Sequence, residues 1–159
     1  MKRLTFLLFT GLLIVFNMIS AYPAEEFIVP WAVVFGENKE SQYINDIVVD
    51  NEGNIYAAGK TTGDFDGNTC VAGHEAFVIK YSSAGIKQWT KLLGEGWVNY
   101  ADQIAADSLG NVYIVGTNEG GTINGVAHQG QGDIFLAKFD SNGNKIWSRH
   151  YGTTTYDRG

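Results

Sequence analysis

The chain has 159 residues, of which 45% are hydrophobic and 18% charged, the balance of a globular protein rather than a disordered one. It carries 17 acidic and 11 basic side chains, a net charge of −6. A surface of this sign repels phosphate backbones, so nucleic acid is not an expected partner. The 20 glycines follow no G-x-y period, which excludes collagen and favours a fold with many turns.

The first 24 residues have the layout of a secretory signal peptide. Lys2 and Arg3 precede an apolar run over 6–16, and small residues follow, among them Ala21 and Ala24. The run is shorter than the roughly 20 apolar residues of a membrane-spanning helix. We therefore expect cleavage after Ala21 or Ala24 and a secreted or cell-surface protein, extracellular or periplasmic, with no membrane span after cleavage. An uncleaved anchor is the alternative.

The remainder of the chain repeats with a period of 57 or 58 residues. Three tryptophans, each followed five residues later by glycine, stand 58 residues apart: Trp31, Trp89 and Trp147. Between them, the phrase INDIVVDNEGNIYAAGKT matches ADQIAADSLGNVYIVGTN, and EAFVIKYSSAGIKQW matches DIFLAKFDSNGNKIW. Three phrases kept in the same order indicate two copies of one structural unit.

Each unit is predicted to hold four strands. In the first, these cover 44–49, 55–60, 76–81 and 86–93, with turn residues after the first and third strands and a loop of about fifteen residues after the second. Nothing after the leader has the apolar spacing of a helix. Two hairpins per unit predict a four-stranded antiparallel β-propeller blade. A β-sandwich is the alternative, against which the constant period argues.

The repeated phrases resemble a known family. The patterns D-x-x-G-N-x-Y-x-x-G, D-x-F-x-x-K and G-x-x-x-W-x-x-x-x-G look like the bacterial SBBP β-propeller repeats of exported proteins, over about residues 28–152. Unit one departs from the pattern with Glu75, where unit two has Asp133, and with Ser82, where unit two has Asp140. The resemblance implies a propeller on a secreted or surface protein and brings no catalytic residue with it.

The predicted organisation is an open, partial propeller. Residues 28–36 form a leading strand that matches the fourth strand of a unit, 42–94 form blade one, 100–152 form blade two, and 153–159 form a tail. Closed propellers have four to eight blades, so two blades leave apolar faces uncovered at both ends. We expect either further blades, which makes the chain an N-terminal fragment, or self-association of several copies.

One loop has the spacing of a calcium-binding loop. Asp64, Asp66, Asn68 and Glu75 stand at positions 1, 3, 5 and 12, where oxygen atoms can surround a hard cation. The glycine of position 6 is replaced by Thr69, and no helix is predicted on either side. The alternative is a solvated loop whose polar side chains cap turns. No other metal and no organic cofactor is expected.

The other polar residues of the repeat are predicted to be structural. Asp50 and Asp107 precede glycine by three residues and are expected to accept hydrogen bonds from their own turns. Lys80 and Lys138 are expected to pair with these carboxylates, and the tryptophans to pack rather than bind sugars. The histidines lack a zinc spacing, the serines lack a nucleophile motif, and the single Cys70 excludes an internal disulfide.

Two functions from different classes remain. The first is a noncatalytic exported propeller that binds an unidentified protein or glycan through loops at one end of the ring. The second is a quinoprotein-type dehydrogenase, because residues 137–147 look like the tryptophan-docking phrase of those propeller enzymes. The phrase is one residue short, and this stretch holds no residues that would bind the cofactor.

Overall fold

The computed structural model describes residues 32–33, 40–71, 73–94, 99–123, 126–127 and 129–159. Residues 1–36 form one unit of the chain and residues 37–159 a second, and every element below lies in the second. The predicted signal peptide lies outside the described residues, as does the predicted leading strand 28–36 except for Ala32 and Val33. The described part contains no helix, and so none that is long and apolar enough to cross a membrane.

In the described residues, ten strands make two four-stranded sheets and one small hairpin. Blade one is β1 (Gln42–Val49), β2 (Ile55–Thr61), β3 (Glu75–Tyr81) and β4 (Lys87–Leu93), hydrogen-bonded in chain order. Blade two is β5 (Asn99–Ala106), β6 (Val112–Asn118), β9 (Asp133–Phe139) and β10 (Lys145–Tyr151), in the same order. The hairpin is β7 (Thr122–Ile123) with β8 (Val126–Ala127).

The predicted fold class is confirmed. All neighbouring strands of both sheets are antiparallel, which is the meander of a propeller blade. β1 begins two residues earlier than the sequence pattern indicated, because Gln42 and Tyr43 pair with Thr61 and Lys60 although they do not extend the apolar run. The β7–β8 hairpin was not predicted, since two-residue strands leave no periodic signal.

The first strand of each blade contains a β-bulge opposite the glycine of the repeated Y-x-x-G phrase. The register shifts between Ile44 and Asp46 in β1, and in the same way in β5. At this point the strands approach so closely that a Cβ on Gly59 would overlap the Tyr43 carbonyl oxygen, and one on Gly116 would overlap that of Tyr100. The glycine of Y-x-x-G is therefore required by the close approach of two backbones.

The core lies between the two blades. Tyr56, Ala58, Ala76 and Val78 on one side of blade one pack in a single cluster with apolar residues of blade two, and all four are 0% exposed. The blade-two members are Ala101, Ile104, Val112, Ile114, Phe135, Ala137 and Phe139. Both blades contribute small alanines as well as larger apolar residues to this cluster, which suits two sheets that pack face to face. Face-to-face packing explains why these strands are apolar on both sides.

The opposite face of blade one is also buried, which corrects one expectation. Phe77 and Ile79 are at most 1% exposed, so this face is not uncovered as a two-blade chain predicts. Part of the reason is Phe65, whose ring folds back from the β2–β3 loop onto Phe77, with 4.9 Å between ring centroids. The opposite face of blade two remains half-exposed, as expected.

Candidate functional site

The two ends of the sheets differ in construction. The turn end carries the short connections 50–54, 82–86, 107–111 and 140–144, and the loop end carries the long connections 62–74 and 119–132. In a meander these ends alternate, because successive strands run in opposite directions.

Three turns at the turn end share one hydrogen-bonding pattern. Asp50 Oδ1 accepts from the backbone N–H groups of Glu52 and Asn54, both at 2.9 Å, while Gly53 takes a φ of 79°. Asp107 and Asp140 make the same bonds two and four residues ahead. The turn role predicted for Asp50 and Asp107 is confirmed, and Asp140 adds a third case.

These hydrogen bonds lower the pKa of each of the three carboxyls. Burial by itself raises the pKa of Asp50, but hydrogen bonds from Asn54, Glu52 and Tyr56 outweigh it and hold the pKa below its ordinary value. The Asn111 side chain is the main cause of the lowered pKa of Asp107, and Asn144 has that effect on Asp140. Each carboxylate is therefore charged near neutral pH and serves as an acceptor only.

Three side chains of blade one donate hydrogen bonds to two turns of blade two, and we call this group the donor triad. Lys80 Nζ and Trp89 Nε1 both donate to the Ser141 carbonyl oxygen, at 3.0 and 3.1 Å. The Tyr56 hydroxyl lies 3.2 Å from the Gly110 carbonyl oxygen and 3.1 Å from Asp50 Oδ2. The triad closes the turn end of the interface between the blades.

The donor triad is compact. Lys80 Nζ stands 5.2 Å from the centroid of the Tyr56 ring, and the Tyr56 and Trp89 rings are 6.0 Å apart. The Trp89 ring also packs against the Gly143 turn, where a Cβ on Gly143 would come within 2.8 Å of it. Trp89 thus packs as predicted, whereas Lys80 bonds a carbonyl of the next blade instead of Asp50. Lys138 does approach Asp107, at 3.9 Å.

Two further bonds join the blades at their bulges. Asn45 Nδ2 donates to the Ala101 carbonyl oxygen at 2.8 Å, and Asp46 Oδ2 accepts from Ile104 N–H at 3.0 Å. β5 is the edge strand of its sheet and shifts its register between Ala101 and Gln103, so backbone groups on its outer side have no partner strand and are available to the neighbouring blade. Sequence reasoning missed Asn45 and Asp46. Their only signal was their place directly before the β-branched run of the first strand.

At the loop end, the four predicted calcium ligands all bond to protein groups. Asp64 Oδ1 accepts from Cys70 N–H, and Glu75 Oε1 from Val71 N–H, each at 2.8 Å. Asp66 contacts Lys87 and Thr90 on β4. Asn68 closes a small bridge with Phe65, and its side chain donates to the carbonyls of Phe65 and Asp66.

Glu75 and Asp133 occupy the same position at the start of the third strand of each blade. Asp133 Oδ2 accepts from Gln129 N–H at 2.8 Å, as Glu75 accepts from Val71, so both acids close the end of their loop. Both are buried, at 2% and 0% exposure. Within the described residues, no three acidic, histidine or cysteine side chains cluster as metal ligands would. Calcium binding at this loop stays a prediction.

The phrase that suggested a quinoprotein enzyme, residues 137–147, forms the end of β9, the 140–144 turn and the start of β10. Its Ser141 carbonyl and Gly143 turn are the surface on which Trp89 of blade one packs. The phrase therefore has a structural use in the contact between blades.

Comparison with known proteins agrees with this architecture. A family described as "Beta-propeller repeat" (SBBP) matches residues 36–66 and 88–117. An uncharacterized WD repeat-containing protein of Acanthamoeba polyphaga mimivirus is 27% identical over 104 residues, which is 55% of this chain and 8% of that protein. The chain thus corresponds to a small part of the length of this relative. The repeat spacing and the blade topology agree with this match, and the chain thus contains two segments of the SBBP β-propeller repeat type.

Proposed function

We propose that this chain is the leading, N-terminal part of an exported, noncatalytic β-propeller that binds a protein or a glycan through the loop end of its blades. The proposal combines the propeller repeat with the signal-peptide pattern of residues 1–24.

The contrast between the two ends carries the proposal. The turn end repeats the same aspartate turn three times, and two of its carbonyl groups, those of Gly110 and Ser141, accept hydrogen bonds from the neighbouring blade. The loop end differs between the blades: the 62–74 loop contains the Phe65–Asn68 bridge, and the 119–132 loop contains the β7–β8 hairpin. Variable loops on a repeated scaffold are the usual place of a binding surface.

The loop end also exposes residues that a partner could contact. Val71 is 68% exposed, and Asp64 is exposed beside it. An apolar side chain next to a carboxylate suits a protein epitope or the mixed apolar and hydroxylated surface of a sugar.

Export is tested first and separately. The full chain is expressed in a bacterial host, and the mature protein is recovered from periplasm and medium. Mass spectrometry is expected to find an N-terminus directly after Ala21 or Ala24. An intact N-terminus in the cytosolic fraction contradicts export.

Binding is tested with a loop variant. The chain is applied to a glycan array and to an array of surface-protein ectodomains, beside a variant whose residues 67–71 are replaced by glycine and serine. We expect the variant to lose the signal, while Glu52→Gln, a change at an exposed residue of the turn end, keeps it. A signal that persists in the loop variant and falls in Glu52→Gln contradicts the assignment of binding to the loop end.

A further inference from the structure

Three side chains from both blades meet at the loop end, and we call this group the rim cluster. Its members are Tyr43 in β1, Lys60 in β2 and Tyr100 in β5, each one residue inside the end of its strand. Lys60 Nζ lies over both rings, 4.9 Å from the centroid of Tyr43 and 4.5 Å from the centroid of Tyr100. One ammonium group therefore joins a tyrosine of each blade.

The tyrosines of the rim cluster belong to the repeat, but the lysine does not. Tyr100 stands 57 residues after Tyr43, and the same offset places Thr117 at the position of Lys60. Thr117 is 1% exposed, and its hydroxyl bonds Asp102 at 3.4 Å. Blade two thus forms with a small side chain at this position, so the fold of a blade does not explain Lys60.

Lys60 also differs from the two other lysines that lie over tyrosine rings. Lys80 donates to the Ser141 carbonyl oxygen, and Lys138 lies 3.9 Å from Asp107. In the part of the chain that the structure describes, Lys60 Nζ has neither a hydrogen-bond acceptor nor an ion-pair partner. An ammonium group carries three hydrogen-bond donors, and ring faces do not replace the acceptors that water provides. These donors are therefore available to a ligand.

The rings beside this ammonium group offer a surface for packing. Tyr43 is 50% exposed, while Tyr100 is half-buried, and the centroid of the His74 ring lies 6.2 Å from that of Tyr100 in an edge-on contact. Because His74 ends the 62–74 loop, the rim cluster adjoins one of the two long loops. A tyrosine ring presents a flat apolar body, against which the C–H face of a sugar ring packs.

The carboxylates close to Tyr100 have partners of their own. Burial, followed by the charges of Glu119 and Asp102, raises the pKa of Tyr100. Asp102 pairs with Arg158 at 3.6 Å, and Glu119 accepts a hydrogen bond from the Tyr156 hydroxyl. Neither carboxylate forms an ion pair with the lysine of the rim cluster, so no direct contact with them neutralises its charge.

We propose that the rim cluster binds an acidic glycan, a chain of sugar rings that carry carboxylate groups. A carboxylate would accept charge-assisted hydrogen bonds from Lys60 Nζ, and the C–H face of the same sugar would pack on Tyr43. The inference rests on the proposed function and names the ligand class of its loop end. Because the chain carries a net charge of −6, an acidic glycan would be held at this point and not by a general attraction.

An acidic peptide fits the rim cluster less well. A peptide commonly binds by adding a strand to an open sheet edge, where its backbone finds hydrogen-bond partners. At the edge of β5 beside Tyr100, two backbone groups are already occupied: the Ala101 carbonyl bonds Asn45, and the Ile104 N–H bonds Asp46. A sugar needs no such edge, since its ring and its carboxylate find their contacts at the rim cluster.

Isothermal titration calorimetry on the full chain tests the proposal with oligosaccharides of galacturonate, of mannuronate and of hyaluronan. Their methyl esters serve as matched neutral ligands, because esterification removes the charge and keeps the sugar ring. We expect at least one acid to bind, and its methyl ester to bind at least about tenfold more weakly, the effect of losing a charge-assisted hydrogen bond. Failure of all three acids to bind would overturn the proposal, as would equal affinity for an acid and its ester.

Variants of the rim cluster locate the binding. Lys60→Met should weaken the binding of the acid at least about tenfold, and Tyr43→Leu should weaken it several-fold. Lys145→Met and Tyr151→Leu, changes at exposed residues of β10, are the matched controls and should leave the affinity unchanged. Unchanged affinity in either variant of the rim cluster contradicts the proposal.

A second lysine variant keeps the proposal falsifiable if Lys60→Met does not fold. Lys60→Thr gives blade one the residue with which blade two folds, and a urea midpoint close to that of the unchanged chain shows that it is folded. Equal binding of poly-glutamate, abolished by Lys60→Thr, would assign the site to an acidic peptide and overturn the proposal.

The same measurements separate this inference from the proposed function. Binding of an acid that survives Lys60→Thr and is lost in the 67–71 variant would overturn the inference and leave the proposed function in place. Silence of the chain on both arrays contradicts the proposed function itself.

Discussion

The contribution of the contact between the blades to the free energy of unfolding can be measured at one hydroxyl group, that of Tyr56. The residue is 0% exposed, and its hydroxyl lies 3.2 Å from the Gly110 carbonyl oxygen of the neighbouring blade. The change Tyr56→Phe removes this hydrogen bond and leaves the carbonyl without that donor. A buried hydrogen bond contributes about 1 kcal/mol, and an unsatisfied buried acceptor costs about 1–3 kcal/mol. We expect the free energy of unfolding to fall by about 1.5 kcal/mol.

The repeat supplies a matched control in Tyr113→Phe. The Tyr113 hydroxyl also bonds the aspartate of its own turn, at 3.3 Å, but it reaches no second blade among the described residues, and Tyr113 is only half-buried. We expect a loss of about 0.5 kcal/mol or less, because a long, solvated hydrogen bond contributes little. The difference between the two variants isolates the bond that crosses the interface.

The assay is urea unfolding followed by tryptophan fluorescence and by circular dichroism. For Tyr56→Phe, the midpoint should fall without a change in the denaturant slope, and the melting temperature should fall by about 3–6 °C. Equal losses in the two variants would refute the reasoning, since they would mean that the bond within each blade carries the whole effect.

Three further predictions test other parts of the structure. Gly59→Ala should lower the free energy of unfolding by at least about 3 kcal/mol and prevent stable folding, because its Cβ would overlap the Tyr43 carbonyl. Gly67→Ala, with a φ of 76° and open space around it, should lower the free energy of unfolding by only about 1 kcal/mol. Chemical denaturation compares the two variants. The pKa of Asp50 is lower in the folded chain than its ordinary 3.8. Its contribution to the free energy of unfolding is therefore complete well above pH 3.8 and disappears as the pH falls below that value. Urea midpoints measured from pH 6 to pH 3 should decline less steeply in Asp50→Asn than in the unchanged chain. If the 63–75 loop binds calcium, roughly millimolar calcium should raise the melting temperature, and Asp64→Asn should abolish this rise. An unchanged melting temperature would mean that these side chains only cap turns of the loop.

Much of each blade could be predicted because its determinants are local in sequence. Asp50 and Gly53 specify a turn through bonds that reach only two to four residues, and Asp107 and Gly110 repeat it one period later. Alternating side chains set which residues share a face of a strand. The predicted strands therefore agree with the observed ones to within two residues in blade one. The structural role of the repeated aspartates followed from the same reasoning.

The candidate sites were harder to predict, because their partners are distant in sequence. The four residues with calcium spacing were recognised, but the bonds of Asp66 to Lys87 and Thr90 depend on how the loop lies against β4. The pairing of Lys80 was wrong for a related reason. Its acceptor, the Ser141 carbonyl, is 61 residues away and is a backbone group that no motif marks.

The amino-acid sequence by itself therefore determined the repeat, the strands, the aspartate turns and the propeller class. It could do so because a period, an alternation and a tight turn depend on neighbouring residues. Only the tertiary structure decided that Asn45, Asp46 and the donor triad hold one blade to the next. Those assignments depend on the distance between two sheets, which follows from packing and not from residue spacing.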